Sequence, residues 1–105
     1  MTTPLGVPVQ LGGKSYTLRF TRRALYELET TTDQTIVEVL ERVQRGSFAA
    51  IVNLVWAGIV HANSRLTPQQ VADMLETSDL PEVAKKLVEA MSQMGDAGNG
   101  QDAGT

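Results

Sequence analysis

The sequence predicts an α+β protein, mostly α, in which an N-terminal β-hairpin is followed by about five short helices in a small bundle and a flexible C-terminal tail. Apolar and polar residues alternate on both sides of Gly12-Gly13, which is typical of two strands joined by a tight turn. From Thr21 onward the apolar spacing becomes helical, and after Met94 the chain is rich in Gly and Asp. We therefore expect one globular domain over residues 1–94, with the hairpin at 5–20 and the helices at 21–94, and a tail over 95–105.

The hairpin has a register that can be predicted from its turn. If Leu11 faces Lys14, the apolar residues of the two strands fall into opposite pairs on one face. These pairs are Leu5 with Phe20, Val7 with Leu18 and Val9 with Tyr16. An isolated two-stranded hairpin is marginally stable in water, so this face must lie on helices or pair with strands of another chain.

The first two helices are marked by threonines. Thr21 can cap a helix that continues to about Glu29, and the threonine run at 30–32 is expected to end it. Thr35, with Glu38 three residues later, forms a capping-box pattern that opens the second helix. Gly46 is a natural stop for that helix, because glycine adopts the left-handed conformation that often follows a helix end.

The third helix, which begins after Ser47, has apolar residues around most of its circumference. It is either the central helix of a small bundle or a helix with one face in the core and another in a subunit or partner interface. So few elements can hardly enclose it, which favours the second alternative.

Two more helices follow this one. Thr67, Pro68 and Gln70 are a strong start signal for the fourth helix, and Asp79 begins the fifth. The apolar residues of the fifth helix follow each other at spacings of three and four, which is typical of an amphipathic helix. They are Val83, Ala84, Leu87, Val88, Met91 and Met94.

Composition argues against an enzyme. The chain has 105 residues, no cysteine and one histidine, which excludes disulfides, thiolate nucleophiles and cysteine or multi-histidine metal sites. His61 has no accompanying serine and acid in a recognisable motif, so a structural or solvated role is expected for it. We predict no catalysis, no cofactor and no metal, and the absence of a long apolar run or signal sequence predicts a cytosolic protein without a membrane segment.

Charge is unevenly distributed along the chain. The formal net charge is -3, yet four cations, Lys14, Arg19, Arg22 and Arg23, precede the first acid at Glu27. This polarity can steer an acidic partner toward the N-terminal end. Four cations are few for nucleic-acid affinity, so we expect a solvated face, with a small DNA-binding regulator as the alternative.

The candidate partner-binding residues are apolar. The third helix contributes Val52, Trp56, Ile59 and Val60, and the last helix contributes Met91 and Met94. A single tryptophan on such a helix is equally typical of a core and of an interface anchor, and the methionines suit a core edge or an adaptable surface. The hairpin edge is a second candidate. Each surface can serve a partner or self-association into a homo-oligomer.

Several segments in order resemble one family. They are Tyr16-Thr17-Leu18-Arg19-Phe20-Thr21, Ala24-Leu25-Tyr26-Glu27-Leu28-Glu29, Val55-Trp56-Ala57-Gly58-Ile59, Leu66-Thr67-Pro68-Gln69-Gln70-Val71 and the helix from Val83 to Met91. This set, over about residues 5–94, resembles the small phage tail assembly chaperones of siphophage and gene transfer agent tail-gene clusters.

The resemblance implies a function without catalysis. Such chaperones bind the hydrophobic, helical tape-measure protein and keep it soluble in the host cytoplasm until tail-tube subunits polymerise around it. The tape-measure protein is then the main partner and the tail-tube protein a further one, and the chain would be absent from the mature virion. A structural tail-completion or head-tail joining protein of the virion is the first alternative to this function.

Overall fold

The computed structural model describes residues 6–61 and 65–102, with side chains as far as Gln93. In chain order the elements are β1 (Val7–Leu11), β2 (Lys14–Leu18), α1 (Arg22–Thr32), α2 (Ile36–Gln44), α3 (Phe48–Ile59), α4 (Pro68–Met74), a 3-10 turn (Thr77–Asp79) and α5 (Leu80–Asp102). This is the hairpin followed by five helices that the sequence predicts, so the predicted fold class is confirmed.

The hairpin has the predicted register. Val7 pairs with Leu18 and Val9 with Tyr16, while Leu11 pairs with Lys14 beside the turn. Gly12 and Gly13 both have positive φ, 57° and 82°, as a two-residue primed turn requires. The predicted partner of Phe20, Leu5, lies outside the described residues. The apolar face is covered by helices of the same chain, because β1 packs on α5 and β2 on α3.

Hydrogen bonds fasten the open end of the hairpin to two helices. The Arg19 amide donates to the carbonyl of Gly58 near the end of α3, with an N···O distance of 2.8 Å. The Gly6 amide donates to Oε1 of Gln93 on α5 at 2.7 Å. Strand and helix come so close at Gly58 that a Cβ there would lie 2.8 Å from Leu18 Cδ2, so only glycine fits without a shift.

Helix α1 begins as predicted but ends later. The Thr21 hydroxyl accepts the Ala24 amide, which confirms the N-cap. The prediction that the threonine run ends the helix is wrong, because α1 continues through Thr32. The Thr30 and Thr32 hydroxyls donate to carbonyls of the preceding turn, so their local hydrogen bonds are made within the helix. The helix ends at Asp33, which has a left-handed φ of 57°.

The caps of α2 and α4 follow the sequence signals. Thr35 with Glu38 and Thr67 with Gln70 both form complete capping boxes, in which each side chain bonds the other residue's amide. At the end of α2, Gly46 has φ 85° and its amide donates to Val43, while the next amide donates to Arg42. This is a Schellman arrangement, so Gly46 stops the helix as predicted.

Helix α3 is the centre of the fold. It contacts α1, α2, α4, α5 and β2, and most of its residues are buried. Its side chains form the core together with those of the surrounding elements, among them Leu18, Leu28, Val39, Val71 and Leu87. Of the two alternatives for this helix, the structure shows the central helix of a bundle, because one hairpin and four helices suffice to surround it.

Helix α5 is longer than the predicted fifth helix. Its backbone is helical from Leu80 to Asp102, so it continues through the glycine-rich stretch beyond Met94. The side chains from Met94 onward and residues 103–105 lie outside the described part of the structure. The flexibility expected of residues 95–105 in solution therefore stays a prediction.

Candidate functional site

The structure places three of the predicted partner-binding residues inside the core. Only 5% of Val52, 7% of Trp56 and 1% of Ile59 is exposed. The apolar circumference of α3 is explained by packing against the surrounding elements, and no partner is needed to cover it. These three side chains can reach a partner only if the fold opens, so the structure does not place them on a contact surface.

Trp56 also uses its polar atom within the fold. The indole Nε1 donates to the carbonyl oxygen of Leu66 at 2.7 Å. This bond holds the segment before α4 against α3 and satisfies the one donor of the indole ring. Trp56 is thus a core anchor that joins two segments of the chain.

The other predicted contact residues have different positions. Val60 and Met91 are partly buried and pack on the edge of the core, which leaves part of each side chain accessible. The side chain of Met94 lies outside the described part of the structure. Met91 follows Val88 by three residues on α5, so the two share a helix face.

Four large apolar side chains are exposed among the described residues: Tyr26 (66%), Val37 (60%), Val88 (58%) and Phe48 (37%). Val88 belongs to the apolar pattern of the last helix but points outward, because the buried stripe of α5 consists of Val83, Leu87 and Ala90. Tyr26 and Val37 are not among the predicted contact residues. Their positions away from the buried stripes of α1 and α2 are the sequence signal that indicates their exposure.

Open grooves lie between several elements of the described residues. One, of about 470 Å³, runs between β1 and the start of α5, and its lining includes Pro8, Gln10, Asp79, Glu82 and Lys86. A second, about 250 Å³, lies where α1 and α2 approach α3 and α4. Both are shallow and partly polar, which suits contact with a protein surface better than enclosure of a small ligand.

His61 lies just beyond α3 and contacts the hairpin. Its Nε2 is 3.2 Å from the Thr17 carbonyl oxygen, and it donates there in the tautomer protonated at Nε2. His61 also lines a pocket of about 290 Å³ with Arg23, Glu27 and Val60. Within residues 6–61 and 65–93 there is no group of three or more acidic or histidine side chains placed to hold a metal ion.

None of the helices in the described part of the chain is long and apolar enough to cross a membrane.

Residues 6–94 match a family model described as "Phage tail tube protein, GTA-gp10". The chain belongs to this family. The match includes both strands, helices α1 to α4 and the first fifteen residues of α5, from Leu80 to Met94. Neither a curated protein nor a solved structure matches the chain.

Membership of the phage tail tube protein family changes one expectation and supports another. The phage tail origin that the resemblance implied is confirmed. The expected absence from the mature virion is wrong, because a tail tube protein is a structural component of the virion. The chaperone role and the binding of a tape-measure protein are tested by neither the family match nor the fold.

Proposed function

We propose that the chain is a structural subunit of a phage-type tail, incorporated into the particle and acting through protein contacts without catalysis. The observation that carries this proposal is the match of residues 6–94 to the phage tail tube protein family. It favours the structural role over the chaperone, although a subunit of the tube wall and a completion or joining protein both satisfy it.

The surface of the domain supports a role in contact. Exposed apolar side chains lie on α1, α2, α3 and α5, so several outer faces can bury area against a neighbour. A subunit inside a tail has neighbours on more than one side. This distribution therefore fits a packed structural component better than a protein with one client groove.

The tape-measure chaperone remains an alternative prediction. It requires an apolar surface for a helical client, and Val88 with Met91 on α5 is the described part of the chain that could provide it. The buried residues Val52, Trp56 and Ile59 no longer support that function.

Quantitative mass spectrometry of purified particles tests the proposal. A structural subunit should remain in particles after density-gradient purification, at a constant copy number relative to the other tail proteins. A tagged chain carrying Val88→Asp should be depleted from particles if α5 contacts a neighbour, while a tagged wild-type chain is the control. Detection of the chain in lysates of producing cells but not in purified particles would contradict the structural role and favour the chaperone.

A further inference from the structure

Three arginines lie close together in sequence at the end of β2 and the start of α1. Arg19, Arg22 and Arg23 are all exposed there, and Tyr26 lies one helical turn after Arg22 with 66% of its side chain exposed. We call these four residues the basic face. Tyrosine and arginine are the residue types that most often anchor protein interfaces.

The charges of the basic face are unfavourable for α1 itself. Arg22 and Arg23 occupy the first turn of the helix, which contains no acid, although the positive end of the helix dipole favours acidic residues there. Arg23 is paired with Glu27 at 3.1 Å, the one ion pair among the described residues. Arg19 and Arg22 have no such pair in this part of the chain, so their charge is available to another molecule.

The segment from α4 into α5 has the opposite charge. Between Arg65 and Lys85 the sequence has no Lys or Arg, and its four acids are spaced three residues apart and are all exposed. We call them the acidic segment: Asp73, Glu76, Asp79 and Glu82. Lys86, in the groove with Asp79 and Glu82, and Lys14, at the hairpin turn, offset part of this charge.

The hairpin extends from the basic face to the start of the acidic segment. Its turn lies beside the end of α4, which carries Asp73, because a Cβ at Gly12 would be 3.3 Å from Met74 Cγ and the Tyr16 hydroxyl is 3.5 Å from Met74 Sδ. Asp79 and Glu82 lie along β1, in the groove with Pro8 and Gln10. Its other end carries Arg19, bonded to Gly58. At about 3.4 Å per residue, the five steps from Lys14 to Arg19 span roughly 17 Å. No ion pair joins the basic face to the acidic segment among the described residues.

We propose that the basic face of one copy docks on the acidic segment of a second copy, in a head-to-tail contact between identical chains. The inference deepens the proposed structural role and rests on it for its biological setting. The two surfaces are different and share no residue, so a copy that uses its basic face in one contact keeps its acidic segment for another. Contacts of this kind generate closed rings or open filaments, either of which can form a tail component.

Charge reversal tests this contact with little risk to the fold. The variant R19E/R22E reverses the basic face and places an acid in the first turn of α1, where the helix dipole favours it. The variant D73K/E76K reverses the acidic segment, and it removes an acid from the last turn of α4 and puts a cation there. The control R42E/R45E makes the same change in net charge as R19E/R22E at exposed positions on and after α2.

Sedimentation velocity of the full chain should be measured at about 0.05 M and about 0.5 M NaCl. The wild type and the control are expected to form species larger than the 11.4 kDa monomer at low salt and to dissociate at high salt. Each reversal should weaken association by roughly tenfold or more. A mixture of the two reversal variants should associate again, because the native acidic segment of one meets the native basic face of the other.

Several results would overturn the proposal. These are a wild-type monomer at low salt, association that salt does not weaken, reversal variants that assemble like the wild type, and a mixture that stays monomeric. Salt-sensitive binding of a DNA duplex that R19E/R22E abolishes, with self-association unchanged, would assign the basic face to nucleic acid instead. A chain that is monomeric in solution but present in purified particles would refute this contact and leave the structural role standing.

Discussion

Replacing Trp56 by phenylalanine should destabilise the domain, because the indole is a core anchor. The variant loses the hydrogen bond from Nε1 to the Leu66 carbonyl, which contributes about 1 kcal/mol. It also loses part of the packing of a residue that is only 7% exposed. Truncation of a buried aromatic to alanine costs about 3–5 kcal/mol, and phenylalanine keeps more than half of the packing, so the packing loss is about 1–2 kcal/mol.

The free energy of unfolding should therefore fall by about 2–3 kcal/mol. For a domain of this size the melting temperature should fall by about 8–24 °C. Urea titration followed by far-UV circular dichroism measures the loss without relying on tryptophan fluorescence. Measurements at high salt keep self-association from contributing.

Tyr26→Phe is the matched control, because it also removes one polar atom from an aromatic side chain, at an exposed position. It should change the free energy of unfolding by no more than about 0.5 kcal/mol. A Trp56→Phe loss as small as that of the control would refute the assignment of Trp56 to the core. It would instead favour the interface position that the sequence left open.

Three further substitutions test local features by the same titration. Gly58→Ala should cost about 1–2 kcal/mol despite the higher helix propensity of alanine, because the new Cβ would lie 2.8 Å from Leu18 Cδ2. A stabilised variant would show that the strand can move away. Thr35→Ala should cost about 1 kcal/mol by breaking the capping box, and an unchanged midpoint would mean that water replaces the cap. Gly46→Ala should cost about 1–2 kcal/mol because alanine disfavours the φ of 85° at this position, and no atom lies within 4 Å of the added Cβ to contribute a clash. An unchanged free energy of unfolding would mean that the end of α2 relaxes to another conformation.

Features governed by neighbouring residues could be predicted from the sequence. The register follows from Gly12-Gly13, because a two-residue turn leaves one way to place the apolar residues on a common face. The caps at Thr35 and Thr67 follow from the spacing of threonine to the acid or amide three residues later. In each case the atoms that form the bonds lie within a few residues of each other.

Burial around α3 could not be predicted, because it depends on how many elements reach the helix. An apolar circumference indicates only that the whole helix must be covered, and the covering elements come from distant parts of the chain. The apolar pattern of Trp56 and Ile59 is therefore compatible with a contact surface, although other elements of the same chain cover both residues. The end of α1 was missed for a related reason, since threonine hydroxyls can bond within a helix as well as end one.

The position of α3 has a consequence for how the protein is recognised. Strand β2 and the other four helices all pack on this one helix, so none of them can leave without exposing apolar surface that the rest cannot cover. Unfolding of the domain should accordingly be a single cooperative event rather than the loss of one element at a time. A partner that binds any outer helix therefore responds to the integrity of the whole domain, and incorporation into a tail would itself select for correctly folded copies.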